Sequence, residues 1–339
     1  LCDRRQRQMC IRDRCTGQKT GKENDNNDKI AIEVGEIKFP PQDVLQLKSY
    51  YLSSSVHVDS IDYLIGYNYR LHSLDCMNLK SKSVTQIVLP GDGPDAIVRL
   101  SGIYAQSLDS VWISDESERA FLIDSVGTIK RMIDLKKYLE DQEQLLINTN
   151  YAMFTSHLFY NASRHSLMFL VKHTPSNTFI VKEVFIDEVG KMATYQLSSS
   201  KVVPDMSKGY AYINFPNVNF VGENIVYNYP VESSIYMLDI RTNERKYILA
   251  DSHYTSNIIE KCTTSGDYAT LEKHWLENSH FYDIMYLPKY KIYARLHADK
   301  VDFDEKKGME KLINERDLYL MPVSYTHPEP TRRSYISYA

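Results

Sequence analysis

The sequence lacks a strong excess of either charge. Among its 339 residues, 40 are Lys or Arg and 44 are Asp or Glu, which gives a formal net charge of −4. So small a net charge creates no broad electrostatic field that would attract nucleic acid or an anionic membrane surface. We therefore expect neither as a direct partner.

The short motifs of common catalytic and cofactor sites are also missing. The sequence contains no G-x-S-x-G, no H-E-x-x-H and no C-x-x-C. The stretch 90–95, PGDGPD, does not lead into a helix with Lys-Ser/Thr, nor does it form G-x-G-x-x-G between a strand and a helix, as phosphate loops require. We expect no cofactor, and the sequence assigns no catalytic residue.

Closely spaced metal ligands are missing as well. His274 and His280 are six residues apart, and His157 and His165 are eight apart. Neither spacing places two imidazoles on one helical face, as a separation of four would, and no carboxylate pattern completes a ligand set. The sequence predicts no metal site.

Cysteine is scarce, with five in the chain. Cys76 and Cys262 are predicted to be buried thiols, because strand cysteines usually fill a core. A disulfide between them in an oxidising compartment is the alternative. Cys2 and Cys10 fall in an N-terminal stretch that is set aside below.

Aromatic and β-branched residues are what the sequence has in abundance. It contains 26 Tyr, together with frequent Ile and Val, which favours a β-rich chain. Residues 109–135 show it most clearly, because three short alternating apolar runs are separated by polar turns, the second of which contains Gly127. This stretch predicts an antiparallel meander.

A similar pattern, in which a strand ends in Asp and a polar turn and a further strand follow, recurs at Asp75, Asp124, Asp187 and Asp239. These positions are separated by 49, 63 and 52 residues (124 − 75, 187 − 124 and 239 − 187), close to the ~40–50 residues of a propeller blade. One small sheet cannot bury both of its faces, so such units must stack on each other. The fold predicted is all-β, a β-propeller of antiparallel meander blades, with six blades expected in the full protein. The four Asp are expected to cap turns rather than to form a ring of acidic ligands.

Two shorter stretches suggest helices between strands. Residues 132–150 carry Leu at helical spacing beside Lys and Glu, and residues 304–315 show a similar amphipathic composition. Both are predicted as insertions.

Both ends are expected to lie outside the fold. Residues 4–14 and 323–339 closely resemble translated sequencing-adapter read-through, so 1–14 and 323–339 are set aside as artefacts. The propeller is assigned to 36–322, with an incomplete last blade, because residues 318–321 read as a strand that is interrupted shortly afterwards.

Cys15 is followed by small and polar residues and then by a charged stretch. A mature bacterial lipoprotein begins in this way, which predicts lipidation at Cys15, a flexible tether over 15–35 and a location in the cell envelope, at the periplasm or outer membrane. The alternative is a chance cysteine before a disordered linker. Membrane contact is expected only through the lipid anchor.

Two segments carry a resemblance to a known family. Residues 63–113, with a Gly-Pro turn before an aliphatic strand, and residues 281–296, a Tyr-rich hairpin with a proline, resemble segments of the bacterial lipoprotein family called domain of unknown function 4221. The hairpin has Leu287 where the family pattern leads us to expect Asp. The resemblance covers most of 36–322 and implies a six-bladed-propeller-like fold and an envelope location, but no activity.

Two functional hypotheses follow. The first is a non-enzymatic binding or interaction module for an unknown protein or carbohydrate ligand. Its weak candidates for ligand contact are aromatic residues whose strand spacing is better explained by propeller core: Trp275, Tyr282, Tyr286, Tyr290 and Tyr293.

The second hypothesis is a carbohydrate-active hydrolase or lyase with carboxylates at the propeller channel. Asp109, Asp115 and Glu116 could supply paired carboxylates, although solvated turn residues explain them better. Three or more acidic or His side chains converging at the channel mouth would favour the enzyme.

Overall fold

The computed structural model describes residues 37–40, 50, 52–147, 157–201, 215–262, 268–288, 290–323 and 336–337. Cys15 and the predicted tether lie outside this part of the chain. Within it, no helix is long and apolar enough to cross a membrane.

The described strands form five antiparallel sheets, in each of which four strands follow one another in chain order. Each sheet is called a blade and numbered along the chain. Blade 1 contains β1 (Ser53–Val58), β2 (Ile61–Asn68), β3 (Ser73–Asn78) and β4 (Val84–Val88). Blade 2 contains β5 (Leu100–Ser107), β6 (Ser110–Asp115), β7 (Arg119–Ile123) and β8 (Ile129–Asp134).

The next two blades repeat this order. Blade 3 contains β10 (Phe159–Asn161), β11 (Ser166–His173), β12 (Thr178–Phe185) and β13 (Met192–Gln196), and the short β9 (Glu143–Leu145) also pairs with β11. Blade 4 contains β14 (Asn217–Val221), β15 (Asn224–Asn228), β16 (Ile235–Asp239) and β17 (Arg245–Ile248).

Blade 5 contains β18 (His280–Leu287), β19 (Ile292–Ala298), β20 (Leu318–Val323) and the two-residue β21 (Ile336–Ser337). The all-β propeller predicted from the meander pattern is therefore confirmed. The described residues form five blades, not the six expected of the full protein.

The helical predictions are partly right. A short helix, α2 (Met309–Glu315), lies within the predicted stretch 304–315. The helix predicted over 132–150 is wrong, since β8 continues to Asp134 and is followed by only one 3₁₀ turn, Leu135–Tyr138, and then by β9. A helix that the sequence did not suggest, α1 (Tyr268–Leu276), precedes blade 5.

The hydrophobic core lies between blades. Four clusters of buried side chains join blade 1 to 2, 2 to 3, 3 to 4 and 4 to 5. In β12, for example, Phe179 and Val181 pack toward blade 4, whereas Val184 packs toward blade 2. Because successive strand residues face opposite sides, each inner blade buries both faces against its neighbours.

The turn after the third strand of a blade is capped by a side chain in three blades. Asp124 accepts hydrogen bonds from the backbone N–H of Val126 and Thr128, and Asp239 does the same for the two residues after Ile240. These bonds confirm the turn-capping prediction for both aspartates.

The prediction fails for the other two aspartates. In blade 1 the corner belongs to Asn78, whose Oδ1 accepts from the N–H groups of Lys80 and Ser81, while Asp75 lies within β3 and is buried. Asp187 instead forms ion pairs with Arg131 and His165.

Cys76 and Cys262 are both buried thiols and are not joined in a disulfide. Burial, with a smaller contribution from neighbouring Asp75, raises the pKa of Cys76 to about 11. Its thiol therefore stays protonated and behaves as core filling, as the sequence predicted.

Candidate functional site

The first strands of the blades surround the propeller axis. They contact each other between neighbouring blades, as β1 with β5, β5 with β10 and β14 with β18. Helix α1, between blades 4 and 5, and helix α2, between β19 and β20, both lie at the end of the axis where the first strands begin. We call this end of the axis the mouth. Side chains from several blades can converge there, as a ligand site requires.

A β-bulge interrupts the first strand of blade 5 near the mouth. In the pairing of β18 with β19, Phe281 lies opposite His297 but Ile284 lies opposite Arg295, so Tyr282 and Asp283 together oppose Leu296. An extra residue in one strand bends that strand and redirects its side chains, and bulges are common beside functional sites.

The bulge brings Asp283 to His157. Nε2 of His157, which precedes the first strand of blade 3, lies 3.6 Å from Oδ2 of Asp283 in blade 5. Blade 4 lies between these two blades along the chain, so the pair joins two blades that are not neighbours. Both side chains are about one-third exposed, at 38% and 31%, and a solvent molecule or ligand can therefore reach them.

Aromatic side chains line the same inner strands. Phe159 of β10 stacks on Phe220 of β14, with 4.8 Å between the ring centroids, and meets the edge of Tyr104 of β5 at 5.1 Å. Tyr104 and Phe159 are only partly buried. These rings belong to or pack on the core clusters between blades 2 and 3 and between blades 3 and 4, and Phe159 follows His157 by two residues.

The aromatic residues singled out from the sequence fall into separate places. Trp275 is buried on α1, and its Nε1 donates to Nδ1 of His280 at 3.1 Å. Tyr282 lies at the bulge, against the ring of His280.

The other three aromatic candidates lie in the β18–β19 hairpin: Tyr286 on β18, Tyr290 in the turn and Tyr293 on β19. Tyr286 and Tyr293 pack on each other in the core between blades 4 and 5, and Tyr290 is 50% exposed in the β18–β19 turn. Of the five candidates, the structure places Tyr282 next to Asp283.

The candidate carboxylates of blade 2 are engaged in turns. Asp115 is buried and pairs with Arg119 at 2.8 Å, Glu116 pairs with Arg99 at 3.5 Å, and Asp109 accepts from Ser125. Three different partners hold these three groups, which agrees with the turn interpretation and not with a catalytic pair.

One Ser–His contact resembles a catalytic dyad but has a different explanation. Nε2 of His297 lies 2.9 Å from Oγ of Ser252, and both residues are buried. Ser252 Oγ also accepts from the backbone N–H of Tyr254 and Thr255, so it fixes a turn. A nucleophilic serine would need access to substrate and a group that orients the histidine from Nδ1, and Nδ1 of His297 has no partner among the described residues.

The described residues contain no group of three His, Cys, Asp or Glu side chains that could hold a metal ion. His274 is held by the carbonyl oxygen of Glu260, and His165 lies beside Asp187. The pairs that are close in sequence, His274 with His280 and His157 with His165, are thus divided among separate partners.

Solved structures similar to this chain bear on its overall fold. A member of the DUF4221 family from Bacteroides vulgatus is similar with a TM-score of 0.67 and 13% sequence identity, over 84% of this chain and 81% of that one. This chain has a propeller fold. At such low identity the likeness shows the fold alone.

Two weaker likenesses have TM-scores below 0.5. The β-propeller domain of Swd1 from Myceliophteria thermophila gives 0.41 at 9% identity, over 85% of this chain and 72% of that one. A protein of unknown function from Bacteroides caccae gives 0.38 at 9% identity, over 77% and 68%. No family model matches the sequence, and no curated protein matches it.

Sequence reasoning missed the pairing of His157 with Asp283. The two residues are 126 positions apart (283 − 157), and nothing local marks Tyr282 and Asp283 as the residues of a bulge. Helix α1 did carry a sequence signal, because the apolar residues Leu271 and Trp275 are four positions apart, as on one face of a helix. Both are buried in the structure.

Proposed function

We propose that this protein is a non-enzymatic binding module whose ligand site is the propeller mouth at His157 and Asp283. The observation that carries the proposal is the close approach of these two side chains from blades that are not neighbours, beside a bulge in β18. Partly exposed polar groups that converge from different segments are typical of ligand sites.

The arrangement of the candidate carboxyl groups favours ligand binding over glycoside hydrolysis. Hydrolysis of a glycosidic bond in the usual way needs two carboxyl groups on opposite sides of the bond. Asp283 lies beside His157, and the carboxylates of blade 2 are held in turns. The pair itself supplies a carboxylate and an imidazole, which suit hydrogen bonding to a ligand.

The proposal includes attachment to the bacterial cell envelope and membership of the DUF4221 family. The support for the anchor is the sequence after Cys15, and the support for the family is the motif resemblance together with the similar fold of its Bacteroides vulgatus member. Labelling with an alkyne analogue of palmitate, behind a lipoprotein signal peptide, should mark the wild-type chain but not Cys15→Ala. Equal labelling of both would contradict the anchor.

Binding is tested with an oligosaccharide and peptide array probed with the purified wild type and with Asp283→Asn. The variant keeps the size of the side chain but removes its charge. Signals that the wild type gives and Asp283→Asn loses would support the mouth as the binding site. Signals that both proteins give equally would place binding elsewhere, and release of product from array oligosaccharides would overturn the non-enzymatic function.

A further inference from the structure

The bulge in β18 is held from the side by asparagine residues of blade 4. Nδ2 of Asn217 donates to the carbonyl oxygen of Phe281 at 3.0 Å, and Nδ2 of Asn219 donates to that of Ile284 at 2.9 Å. Phe281 and Ile284 are the residues immediately before and after Tyr282 and Asp283. Both ends of the bulge are therefore fixed by side-chain amides.

The two asparagines are spaced to do this together. They are two residues apart on β14, so they extend from the same face of the strand toward blade 5. A third amide, Nδ2 of Asn228, lies 3.4 Å from the same carbonyl oxygen of Phe281, and Asn228 is paired opposite Asn217 in the sheet. Amide side chains here occupy the place that the backbone of a neighbouring strand has in a regular sheet.

Because these hydrogen bonds are buried, losing one of them is costly. Asn217 is 2% exposed and Phe281 is fully buried, so a lost hydrogen bond leaves a polar group without water. The guanidinium of Arg295 also lies over the Phe281 ring at 4.6 Å. Phe281, at the start of the bulge, is thus held by an amide at its carbonyl oxygen and by a guanidinium over its ring.

We propose that Asn217 and Asn219 are positioning residues of the mouth, which hold the bulge so that Asp283 lies beside His157. This inference rests on the proposed function, since it assigns these residues to the same site. It predicts that the relative placement of residues 157 and 283 depends on the blade 4 amides, beyond any effect on overall stability.

The test uses Zn²⁺ affinity to report whether positions 157 and 283 are close enough to bind one ion together. Asp283→His places a second imidazole opposite His157, and two imidazoles at suitable separation bind Zn²⁺. Zn²⁺ affinity is measured by competition with a chromophoric chelator, with Asp283→His/His157→Ala as the baseline. Adding Asn219→Ala should weaken Zn²⁺ binding at least tenfold. Asn219→Asp, which keeps the shape but cannot donate, should weaken it similarly.

Asn224→Ala is the matched control, because Asn224 is on the same blade and makes no side-chain hydrogen bond among the described residues. It should leave Zn²⁺ affinity unchanged. Near-ultraviolet circular dichroism checks that each protein is folded. Unchanged Zn²⁺ affinity in a folded Asn219→Ala or Asn219→Asp variant would overturn the positioning role but leave the mouth intact. No binding above baseline by Asp283→His itself would show that the two positions do not meet, which overturns this inference and the proposed site together.

Discussion

The hydroxyl of Tyr50 donates a 2.6 Å hydrogen bond to Oδ2 of Asp75, a carboxylate that is fully buried in blade 1. The same carboxylate accepts from Asn68 and Gln86. Three donors from different segments therefore provide the hydrogen bonds that water would make to an exposed carboxylate. This contact ties the segment before β1 to the middle of the blade.

The ring of Tyr50 can make this contact because residue 66 is glycine. A Cβ on Gly66 would overlap the Tyr50 ring. We expect Gly66→Ala to lower the free energy of unfolding by about 1–3 kcal/mol, measured by urea denaturation, because the ring must move. Gly91→Ala, where a Cβ would meet only His72 at an ordinary 3.7 Å, is the control and should change stability by less than about 0.5 kcal/mol. An equal loss when Gly66→Ala is made in a Tyr50→Ala background would show that the ring is not the cause.

A buried ion pair fixes the connection between blades 2 and 3. Nζ of Lys182, which has no exposed surface, pairs with Glu143 and donates to the carbonyl oxygen of Tyr138 at 2.8 Å. Lys182→Met should cost about 3–5 kcal/mol of unfolding free energy, because it leaves the Glu143 carboxylate, only 3% exposed, without its cation. Lys182→Met/Glu143→Leu should recover most of the loss.

An exposed ion pair of blade 3 provides the comparison for that experiment. Lys191 and Glu188 form a pair at 2.7 Å with about half of each side chain exposed, at 51% and 58%. Lys191→Met should therefore change stability by less than about 1 kcal/mol. Equal losses for Lys182→Met and Lys191→Met would contradict the role of burial.

Two buried histidines make stability depend on pH. Burial, and to a lesser extent the charge of Arg316, lowers the pKa of His280 to about 3, and burial with Arg295 does the same for His297. The native state then binds fewer protons than the unfolded chain between pH 3 and pH 6.5, the ordinary pKa of a histidine side chain. Their contribution to stability is complete above pH 6.5 and is lost as pH falls toward 3.

Urea denaturation across this range should show the unfolding free energy falling by up to ~1.4 kcal/mol per pH unit for each of the two histidines. His297→Asn should reduce the slope by the amount of one histidine, whatever its effect on stability at neutral pH. Val189→Ala, a change at a fully exposed side chain that does not titrate, should leave the slope as in the wild type. An unchanged slope in His297→Asn would mean that His297 can take up a proton in the folded state.

The tautomer of His297 follows from the hydrogen bonds of Ser252. Oγ of Ser252 already accepts two backbone N–H groups, so its own proton must be donated to Nε2 of His297. The proton of the neutral imidazole is then on Nδ1. Two-bond ¹⁵N–¹H correlation spectra should show Nδ1 protonated and Nε2 unprotonated, and the opposite assignment would contradict this interpretation of the turn.

Much of the fold could be read from the sequence, because strand periodicity and turn residues are local. The meander of blade 2 and the turn caps at Asp124 and Asp239 follow from residues next to each other in the chain. Asp75 misled this interpretation, because Asn78 performs the same cap three residues later and Asp75 is buried beneath Tyr50. A sequence does not distinguish a turn aspartate from one that is paired through distant donors.

The candidate site could not be predicted in the same way. His157 and Asp283 come from blades 3 and 5, and Asp283 lies in a bulge where β18 has one extra residue opposite β19. Trp275 and the tyrosines were grouped as candidates for one ligand surface, but Trp275 is on α1 and packs in a different cluster from Tyr293. Both errors concern contacts between segments that are far apart in the chain.

The most direct test of the binding site is the protection of His157 by a ligand. Carbethoxylation of histidines with diethylpyrocarbonate, followed by mass spectrometry, is compared with and without the ligand that the array selects. We expect the ligand to slow modification of His157 at the mouth while His165, exposed on blade 3, reacts at the same rate in both samples. Equal modification of His157 with and without bound ligand would contradict the account.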